Sequence, residues 1–435
     1  MASIHHHLLL SKLFFISCLF VQSRSILSSK NAILPLKIQS IPSGSSTKPP
    51  KKLSFNHNVS LTVTFAIGSP PQPVTMVLDT GSELTWVHSK KTPNTPLSYD
   101  PLHSTSYTPV PCTSPICMTR TRDFTMPASC DPKKLCHAIV SYADATSVEG
   151  NLAIDTFRVM DSDLPGIIFG CMDTDTSTNQ YEDSKSTGLM GLNRGSLSFV
   201  TQMGYSKFSY CISGQDSTGV LIFGEYNITW LRTLTYTPMV KITDPLPYFD
   251  RVAYTVQLEG IKVAGTVLAL PKSIYEPDHT GAGQTMIDSG TQYTFLLGPV
   301  YTALKSEFLK QTKNVLRVYE DTNFVFQGAM DLCYRVEKGR VGLPVLPNVS
   351  MMFRGAEMVV SGEKLLVKVE GIITKGSDDL YCFTFGNSDL LGIEAYVIGH
   401  HHQQNMWMEF DLANNRVGFA EVRCDTTSQK LGVDL

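Results

Sequence analysis

The sequence is poor in charged residues, which make up 17% of its 435 residues, and it contains no cluster of lysine and arginine. Its 36 basic and 39 acidic side chains nearly cancel, so the net charge at pH 7 is −3. A protein that binds nucleic acid usually presents a strongly basic surface to the phosphates. The composition therefore gives no support to a nucleic-acid-binding function.

The sequence also lacks an apolar run of the roughly 20 residues that a membrane-spanning helix needs. Residues 8–21 are mostly apolar, but Lys12 interrupts them, and the small residues Ser23 and Ser25 follow. This order is typical of a secretory signal peptide, with a membrane anchor as the alternative. We expect residues 1–25 to be removed, and we expect a mature chain without a membrane span that is secreted or held in the endomembrane system.

Residues 26–52, which follow the predicted signal peptide, contain five lysines and no acidic side chain. Their polar composition, rich in serine and proline, is typical of a linker. The alternative is a short pro-segment whose lysines neutralise an acidic cleft until the segment is removed. The sequence leaves both interpretations open.

Cysteine usage agrees with export, because most of the ten cysteines would pair in an oxidising compartment. Loss of Cys18 with the signal peptide leaves an odd number, so at least one cysteine stays unpaired or reacts between chains. Three N-glycosylation sequons, at Asn58, Asn227 and Asn348, fit the same compartment.

Short apolar runs separated by Gly, Pro, Asn and Asp predict a mostly β protein. Few helices are expected, and the strongest covers residues 299–314, with Val300, Leu304, Phe308 and Leu309 on one face. We expect strands within residues 61–68, 74–81, 167–171, 221–225, 253–265 and 351–355.

The chain contains an internal repeat. VTMVLDTGSELTW (74–86) resembles GQTMIDSGTQYTF (283–295): an apolar strand, an Asp, a small hydroxyl residue, a Gly and a second hydroxyl residue. Each copy is followed by an element with two apolar residues and a Gly, GLMGL (188–192) and YVIGHH (396–401). The repeat predicts two related halves whose equivalent loops meet at a pseudo-twofold axis.

On these motifs the chain resembles the pepsin-like aspartic proteases, whose paired signatures match DTGS (79–82) and DSGT (288–291). The resemblance implies an all-β fold with few short helices, in which two β-barrel-like lobes enclose a cleft. The expected lobes are residues 53–235 and 236–425, followed by a tail, 426–435. Similarity to the plant nepenthesin-like branch comes from FGC (169–171), GLMGLNRGSLSF (188–199), KFSYC (207–211), DLCY (331–334) and NNRVGFA (414–420).

The resemblance implies an aspartic-type endopeptidase with Asp79 and Asp288 as catalytic residues and with neither a metal ion nor a cofactor. Two carboxyls within hydrogen-bonding reach do not both ionise readily, so one keeps its proton at mildly acidic pH. The ionised carboxylate then acts as general base on a water and the protonated carboxyl as general acid. The expected supporting residues are Thr80, Gly81, Ser82, Ser289, Gly290 and Thr291.

The resemblance places a flap residue, Tyr142, over the cleft and implies a hydrogen bond from it to Trp86. The alternatives are core packing for Trp86 and an ordinary strand position for Tyr142. Ala143 and Ala145 stand where glycines are usual in the family. Because alanine restricts positive φ, reduced flap mobility is expected.

Three consecutive histidines, His400, His401 and His402, follow the second apolar-apolar-Gly element. On an extended segment consecutive side chains point to opposite faces, which argues against a metal site. A pH-responsive charge near the cleft is the milder hypothesis.

The resemblance also implies how the cysteines pair. One disulfide lies within the second half, one joins the halves, and two close a plant-specific loop in an order that stays open. Cys171 is left over, because Ser89 stands where the family has its usual partner, and we predict a buried free thiol. The expected pairs are Cys333–Cys382 and Cys211–Cys424, with two more among Cys112, Cys117, Cys130 and Cys136.

The runner-up function is a binding protein on the same fold, of the xylanase-inhibitor type, which would keep the lobes and lose the catalytic constellation. Both Asp-hydroxyl-Gly triplets survive here, which favours the enzyme. A serine hydrolase has no support, because the sequence has no GxSxG motif. The expected partners are peptide or protein substrates and pepstatin-type inhibitors, and the expected state is a monomer.

Overall fold

The computed structural model describes residues 31–41, 59–89, 96–176, 185–214, 217–226, 228–231, 233–321, 323–340, 342–370 and 378–433. Residues 31 onwards belong to one compact unit. The predicted signal peptide with Cys18, residues 42–58 with the sequon at Asn58, and the sequon at Asn227 lie outside the described residues. Asn348 is described and exposed, and its side-chain oxygen accepts a hydrogen bond from the Gly362 amide.

The first half of the chain forms 13 strands within the described residues. In chain order they are β1 (Ala32–Ser40), β2 (Val59–Ile67), β3 (Gln72–Asp79), β4 (Trp86–His88), β5 (Thr108–Pro109), β6 (Ser129–Cys130), β7 (Cys136–Ser141), β8 (Ser147–Val159), β9 (Ser162–Asp175), β10 (Gly188–Gly191), β11 (Lys207–Cys211), β12 (Gly219–Phe223) and β13 (Thr235–Pro238).

The second half adds 15 strands in the part that the structure describes. They are β14 (Thr255–Val256), β15 (Leu258–Val263), β16 (Thr266–Val267), β17 (Gln284–Ile287), β18 (Thr294–Leu296), β19 (Arg317–Val318), β20 (Cys333–Val336), β21 (Val349–Phe353), β22 (Ala356–Val360), β23 (Leu366–Lys368), β24 (Asp379–Phe383), β25 (Phe385–Asn387), β26 (Ala395–Ile398), β27 (Met406–Asp411) and β28 (Arg416–Glu421).

Helices are few and short, as the sequence predicts. The longest confirms the predicted amphipathic helix, because Val300, Leu304 and Phe308 are buried on its inner face. A proline in its first turn suits a helix start, where the missing N–H would be unpaired anyway. The helices are α1 (Phe199–Met203), α2 (Gly298–Thr312), α3 (His400–Gln403) and α4 (Cys424–Lys430), with single helical turns at Pro101–His103, Ile116–Arg120, Lys272–Tyr275, Gly362–Lys364 and Ser388–Leu391.

The strands form four sheets. The largest has the order β13-β28-β27-β11-β12-β1-β2-β3-β10-β4-β9-β8-β7-β6, with β5 paired to β8. The second half contributes a five-stranded sheet, β14-β17-β26-β18-β25, and two four-stranded sheets, β16-β15-β21-β22 and β19-β20-β24-β23. This mostly β architecture confirms the expected fold class.

The largest sheet joins the two halves of the chain. Strand β11 from the first half pairs with β27 from the second, so that Phe208 lies opposite Phe410. Their rings stack with centroids 4.6 Å apart, and the Tyr254 ring lies 4.5 Å from Phe410. All three side chains are buried. A shared sheet with an aromatic core therefore fixes one half against the other.

Strand β1 lies within the segment predicted as a linker or pro-segment. It pairs with β12 through Leu34 opposite Leu221 and with β2 through Ile38 opposite Leu61. Leu34 and Leu36 are buried in the main core. The structure thus places residues 32–40 inside the largest sheet, while the boundaries expected from the sequence stay predictions.

The predicted strand at residues 253–265 is split into β14 and β15. The break falls at Gln257, where the chain leaves the five-stranded sheet and enters a four-stranded one. The buried Gln257 amide donates hydrogen bonds to the carbonyl oxygens of Leu258 and Tyr275. The expectation of one continuous strand was therefore wrong, because an alternating apolar pattern does not reveal which sheet each part joins.

Four disulfides connect the described cysteines. One joins the halves and one lies within the second half, as the resemblance implies. The other two close the loop that precedes β7, in an order that the sequence left open. They are Cys211–Cys424, Cys333–Cys382, Cys112–Cys130 and Cys117–Cys136.

We expect Cys171 to be alkylated only after unfolding. Its thiol is unpaired and buried, and burial raises its pKa to about 11, so little reactive thiolate exists at neutral pH. Iodoacetamide treatment with and without denaturant, followed by peptide mapping, measures this directly. Fully reduced protein is the control for peptide recovery. Labelling of the native protein, or a disulfide that includes Cys171, would contradict the prediction.

Candidate active site

Each Asp of the repeat lies at the end of a strand that has a parallel partner: Asp79 is the last residue of β3, and Asp288 directly follows β17. Strand β3 ends at Asp79 and runs parallel to β10, with Gly191 opposite Asp79. Strand β17 runs parallel to β26 in the same way, and the Asp288 amide donates to the Ile398 carbonyl. The apolar-apolar-Gly elements are thus the parallel partners of the Asp strands, which explains why both motifs occur twice.

Two glycines allow the carboxyls of the two halves to approach. A Cβ added at Gly81 would lie 2.7 Å from Asp288 Oδ1, and one added at Gly290 would lie 2.4 Å from Asp79 Oδ1. Each glycine amide donates to the carboxylate of its own half, at 2.7 Å for Gly81 to Asp79 and 2.8 Å for Gly290 to Asp288. A side chain at either position would push the carboxyls apart.

The hydroxyl residues after each Asp link the two halves directly. The Thr80 amide donates to Ser289 Oγ at 3.0 Å, and the Ser289 amide donates to Thr80 Oγ1 at 2.9 Å. Each hydroxyl then donates onward, Thr80 to the Ile287 carbonyl and Ser289 to the Leu78 carbonyl. Both side chains are buried, so these crossed hydrogen bonds are shielded from competing water.

The two carboxyls behave as one electrostatic unit. Burial raises the pKa of Asp79, the negative charge of Asp288 raises it further, and a hydrogen bond between the two carboxyls adds to the effect. The Ser82 hydroxyl and the Gly81 amide oppose this rise by favouring the charged form. On the other side, the Thr291 hydroxyl donates to Asp288 Oδ2. Two carboxyls that are buried close together retain one proton between them at mildly acidic pH.

Trp86 and Tyr142 meet over the cleft. The Trp86 indole N–H donates to the Tyr142 hydroxyl at 2.6 Å. Tyr142 follows β7 at the tip of the β7–β8 hairpin, and its pKa is raised by burial and then by the charge of Asp79. The phenol therefore stays neutral and able to donate or accept a hydrogen bond near the carboxyls.

The hairpin tip, residues 142–146, is a well-bonded turn. The Tyr142 amide donates to the Thr146 carbonyl, the Ala145 amide donates to the Tyr142 carbonyl, and Asp144 accepts from the Thr146 amide and hydroxyl. Ala145 has φ +68°, in the left-handed region that favours glycine. The alanine noted from the sequence thus stands at a strained position, while Ala143 does not have a positive φ.

The carboxyls lie in a cleft of about 940 Å³ with walls from both halves. Much of the lining is apolar, which suits peptide side chains without charge. The sequence did not assign most of these residues to the cleft, because some are apolar positions within the repeated motifs that are equally typical of core strands, and the others lie outside any motif. They include Leu84, Phe124 and Leu189 from the first half and Tyr248, Met286, Phe295, Leu391 and Ile393 from the second.

Two polar residues beside the motifs were also missed from the sequence. Glu83, directly after DTGS, is buried, and burial raises its pKa to about 7; the Leu197 amide donates to its Oε1 at 2.6 Å. Gln403 accepts a hydrogen bond from Tyr210 and donates to the Asp288 carbonyl at 3.3 Å. The sequence signal for Glu83 was an acidic residue in an otherwise uncharged segment directly after the DTGS motif.

The three histidines form helix α3, so the assumption of an extended segment was wrong. Two of the rings are held by the second half: His402 lies between the hydroxyls of Thr294 and Thr384, and His401 Nε2 lies 2.8 Å from the Lys364 carbonyl. Burial lowers the pKa of His401 to about 4 and that of His402 further. The rings of His401 and His402 are therefore neutral above strongly acidic pH.

In the described ranges, no group of three or more His, Cys, Asp or Glu side chains is arranged to hold a metal ion. The same part of the chain contains no helix that is both long and apolar enough to span a bilayer.

Comparison with known proteins identifies the family. Residues 61–225 match the family described as xylanase inhibitor N-terminal, and residues 253–421 match its C-terminal counterpart. Aspartic proteinase PCS1 of Arabidopsis thaliana is 59% identical over 408 residues, which cover 92% of this chain and 89% of PCS1. The chain belongs to the pepsin-like aspartic proteases.

Two further comparisons place this aspartic protease among plant relatives. Nepenthesin-2 of Nepenthes gracilis is 28% identical, over 82% of this chain and 76% of its own. The crystal structure of edgp superposes with a TM-score of 0.67 at 21% identity, covering 91% of this chain and 96% of that one, and so supports the bilobed fold. The segments SYADATSVEGNLA (141–153) and VIGHHHQQN (397–405) resemble the plant promotion-of-cell-survival aspartic protease, and the match to PCS1 confirms this resemblance.

We expect Ala145→Gly to stabilise the protease. Relief of a left-handed alanine is worth roughly 1 kcal/mol, and glycine adopts this φ at no steric cost. Ala143→Gly is the matched control and should destabilise the folded protein slightly, because it relieves no strain and increases the conformational entropy of the unfolded chain. Urea unfolding of both variants tests this. Equal effects of the two substitutions would show that the turn at Ala145 is not strained.

We expect the half-buried His401 to make the fold less stable as pH falls from about 6.5 to 4. Its folded pKa is lower than its unfolded value, so the unfolded chain binds more protons in this window, at a cost of at most about 3 kcal/mol. Denaturant unfolding at both pH values should show a smaller acid loss for His401→Gln than for wild type. The exposed His279→Gln is the control, and equal losses in all three proteins would refute the prediction.

Proposed function

We propose that this aspartic protease is an endopeptidase that hydrolyses peptide bonds by acid–base activation of water between Asp79 and Asp288. The observation that supports it best is the placement of both carboxyls in one cleft formed by the two halves, where Gly81 lies against Asp288 and Gly290 lies against Asp79. Such a dyad supplies one base and one acid in the same protonation state.

The reaction begins when a water is held between the two carboxyls. The carboxylate takes a proton as the water oxygen attacks the scissile carbonyl carbon, and the other carboxyl donates its proton to the carbonyl oxygen. Collapse of the resulting gem-diol breaks the C–N bond as a proton passes to the leaving nitrogen. No covalent enzyme intermediate forms, and neither a metal ion nor a cofactor is needed.

The surrounding residues have positioning roles in this proposal. The glycine amides and the hydroxyls of Ser82 and Thr291 keep the carboxyls aligned, and the crossed bonds of Thr80 and Ser289 keep them together. Tyr142, oriented by Trp86, covers the bound peptide and excludes water from the reacting bond. The apolar lining favours uncharged, apolar side chains on either side of the scissile bond.

Several finer expectations belong to the same proposal. A protease acts on protein substrates. We further infer that pepstatin inhibits this enzyme, that the enzyme is a monomer and that it has no nucleic-acid partner. The disulfides and the sequon at Asn348 support folding in the secretory pathway. For the signal peptide, the lobes and the tail, we propose the residue ranges expected from the sequence.

A binding function of the xylanase-inhibitor type is the second candidate, because both matching families carry that name. The intact carboxyl pair argues for catalysis instead. The two functions differ in one measurable way: an inhibitor would bind xylanase stoichiometrically and would not need both carboxyls. Xylanase inhibition that survives Asp288→Asn would favour the binding function.

We expect Asp288→Asn and Asp79→Asn each to reduce casein cleavage by about 10² to 10⁴-fold, because each removes one partner of the acid–base pair. Assays from pH 3 to 7, with and without pepstatin, measure this. Asp161→Asn, an exposed turn residue, is the matched control and should retain full activity. Undiminished cleavage by folded dyad variants would overturn the proposed mechanism.

A further inference from the structure

An ion pair connects the two halves at the cleft. Asp123 lies in the first half and Arg251 in the second, and both side chains line the cleft that contains the carboxyls. Arg251 Nη2 lies 2.8 Å from Asp123 Oδ1. At this point the two cleft walls touch through side chains. We call this pair, Asp123 with Arg251, the strap.

The backbone that carries Arg251 is fixed by the first half. Arg194 donates from Nη2 to the Arg251 carbonyl at 2.7 Å and from Nε to the Ala253 carbonyl at 3.0 Å. The Arg194 amide also donates to the Val252 carbonyl at 2.8 Å, and Asp250 accepts from the Val252 amide. Because the loop is anchored at these points, the Arg251 side chain can move without the loop.

The backbone that carries Asp123 is fixed as well. The disulfides Cys112–Cys130 and Cys117–Cys136 close its loop on both sides. Just before it, Arg120 and Ser196 exchange hydrogen bonds between side chain and main chain. The two anchored loops therefore meet through the Arg251–Asp123 side-chain contact, while Arg251 Nη1 also donates to the Thr243 carbonyl of its own half at 3.4 Å.

The strap is partly exposed, with 39% of the Arg251 side chain and 32% of the Asp123 side chain accessible. Ion pairs of this kind contribute little, so a bound peptide can open it at small cost. The strap can therefore disfavour binding of a peptide that must break it, but it does not prevent that binding.

We propose that the strap closes one end of the cleft and sets a length preference. A short peptide fits beside the carboxyls with the strap closed, whereas a longer chain must break it. Asp123 and Arg251 are then specificity-determining residues and not catalytic ones. This inference rests on the proposed function, since it concerns peptides bound at the same cleft.

The test uses two peptides with the same central sequence. One spans only the positions beside the scissile bond, and the other is extended at both ends. Asp123→Arg and Arg251→Asp each place like charges together and open the strap, and the double variant restores an ion pair with exchanged charges. Asp163→Arg, in the exposed Arg158–Asp163 pair of the β8–β9 hairpin, is the matched control.

We expect each single variant to lower KM for the extended peptide by up to about fivefold, which corresponds to about 1 kcal/mol, with kcat unchanged. KM for the short peptide should not move, and the double variant should return to the wild-type values. High salt should reduce the difference between wild type and single variants, because partly exposed pairs are screened. Asp163→Arg should change neither peptide.

Equal effects on both peptides, no effect on either, or no restoration in the double variant would overturn the proposal. If Asp123→Arg does not fold, Asp123→Asn tests the same prediction with a smaller change. Binding of both peptides to the Asp288→Asn variant, with and without the strap substitutions, gives Kd values that need no cleavage. A length effect on Kd without any wild-type cleavage would keep the strap and reject the endopeptidase function.

Discussion

The crossed hydrogen bonds between Thr80 and Ser289 are the constraint on which the rest of the structure depends. Each bond joins a main-chain amide of one half to a hydroxyl of the other, and both residues directly follow a dyad Asp. The carboxyls are therefore placed by bonds one residue away and not by the distant lobes. Because the bonds are buried, loss of either would leave an unpaired polar group in the core.

Around this centre, different contacts hold the sheet below the carboxyls and the hairpin above them. The shared sheet beneath the carboxyls is held by the Phe208–Phe410 stack and by the Cys211–Cys424 disulfide. Above them, the hairpin tip with Tyr142 depends on a few turn hydrogen bonds. The bonds at the base preserve the distance between the two carboxyls, and the turn hydrogen bonds of the tip keep Tyr142 in position above them.

Local patterns were sufficient to predict the parts of the site that the chain encodes locally. The dyad, its glycines and its hydroxyls lie within two four-residue motifs, and α2 shows a clear apolar periodicity. Features built from distant segments could not be read in this way. The strap joins residues 128 positions apart. The His402 ring is held by Thr294 and Thr384, which lie 108 and 18 positions away in the chain.

The pH dependence of kcat/KM for a short peptide tests the central claim most directly. If the two carboxyls share one proton, the profile is bell-shaped, because activity needs one carboxylate and one carboxyl at the same time. The acid limb then reports loss of the base and the alkaline limb loss of the acid. A profile with a single ionisation, rising to a plateau at neutral pH, would contradict the claim.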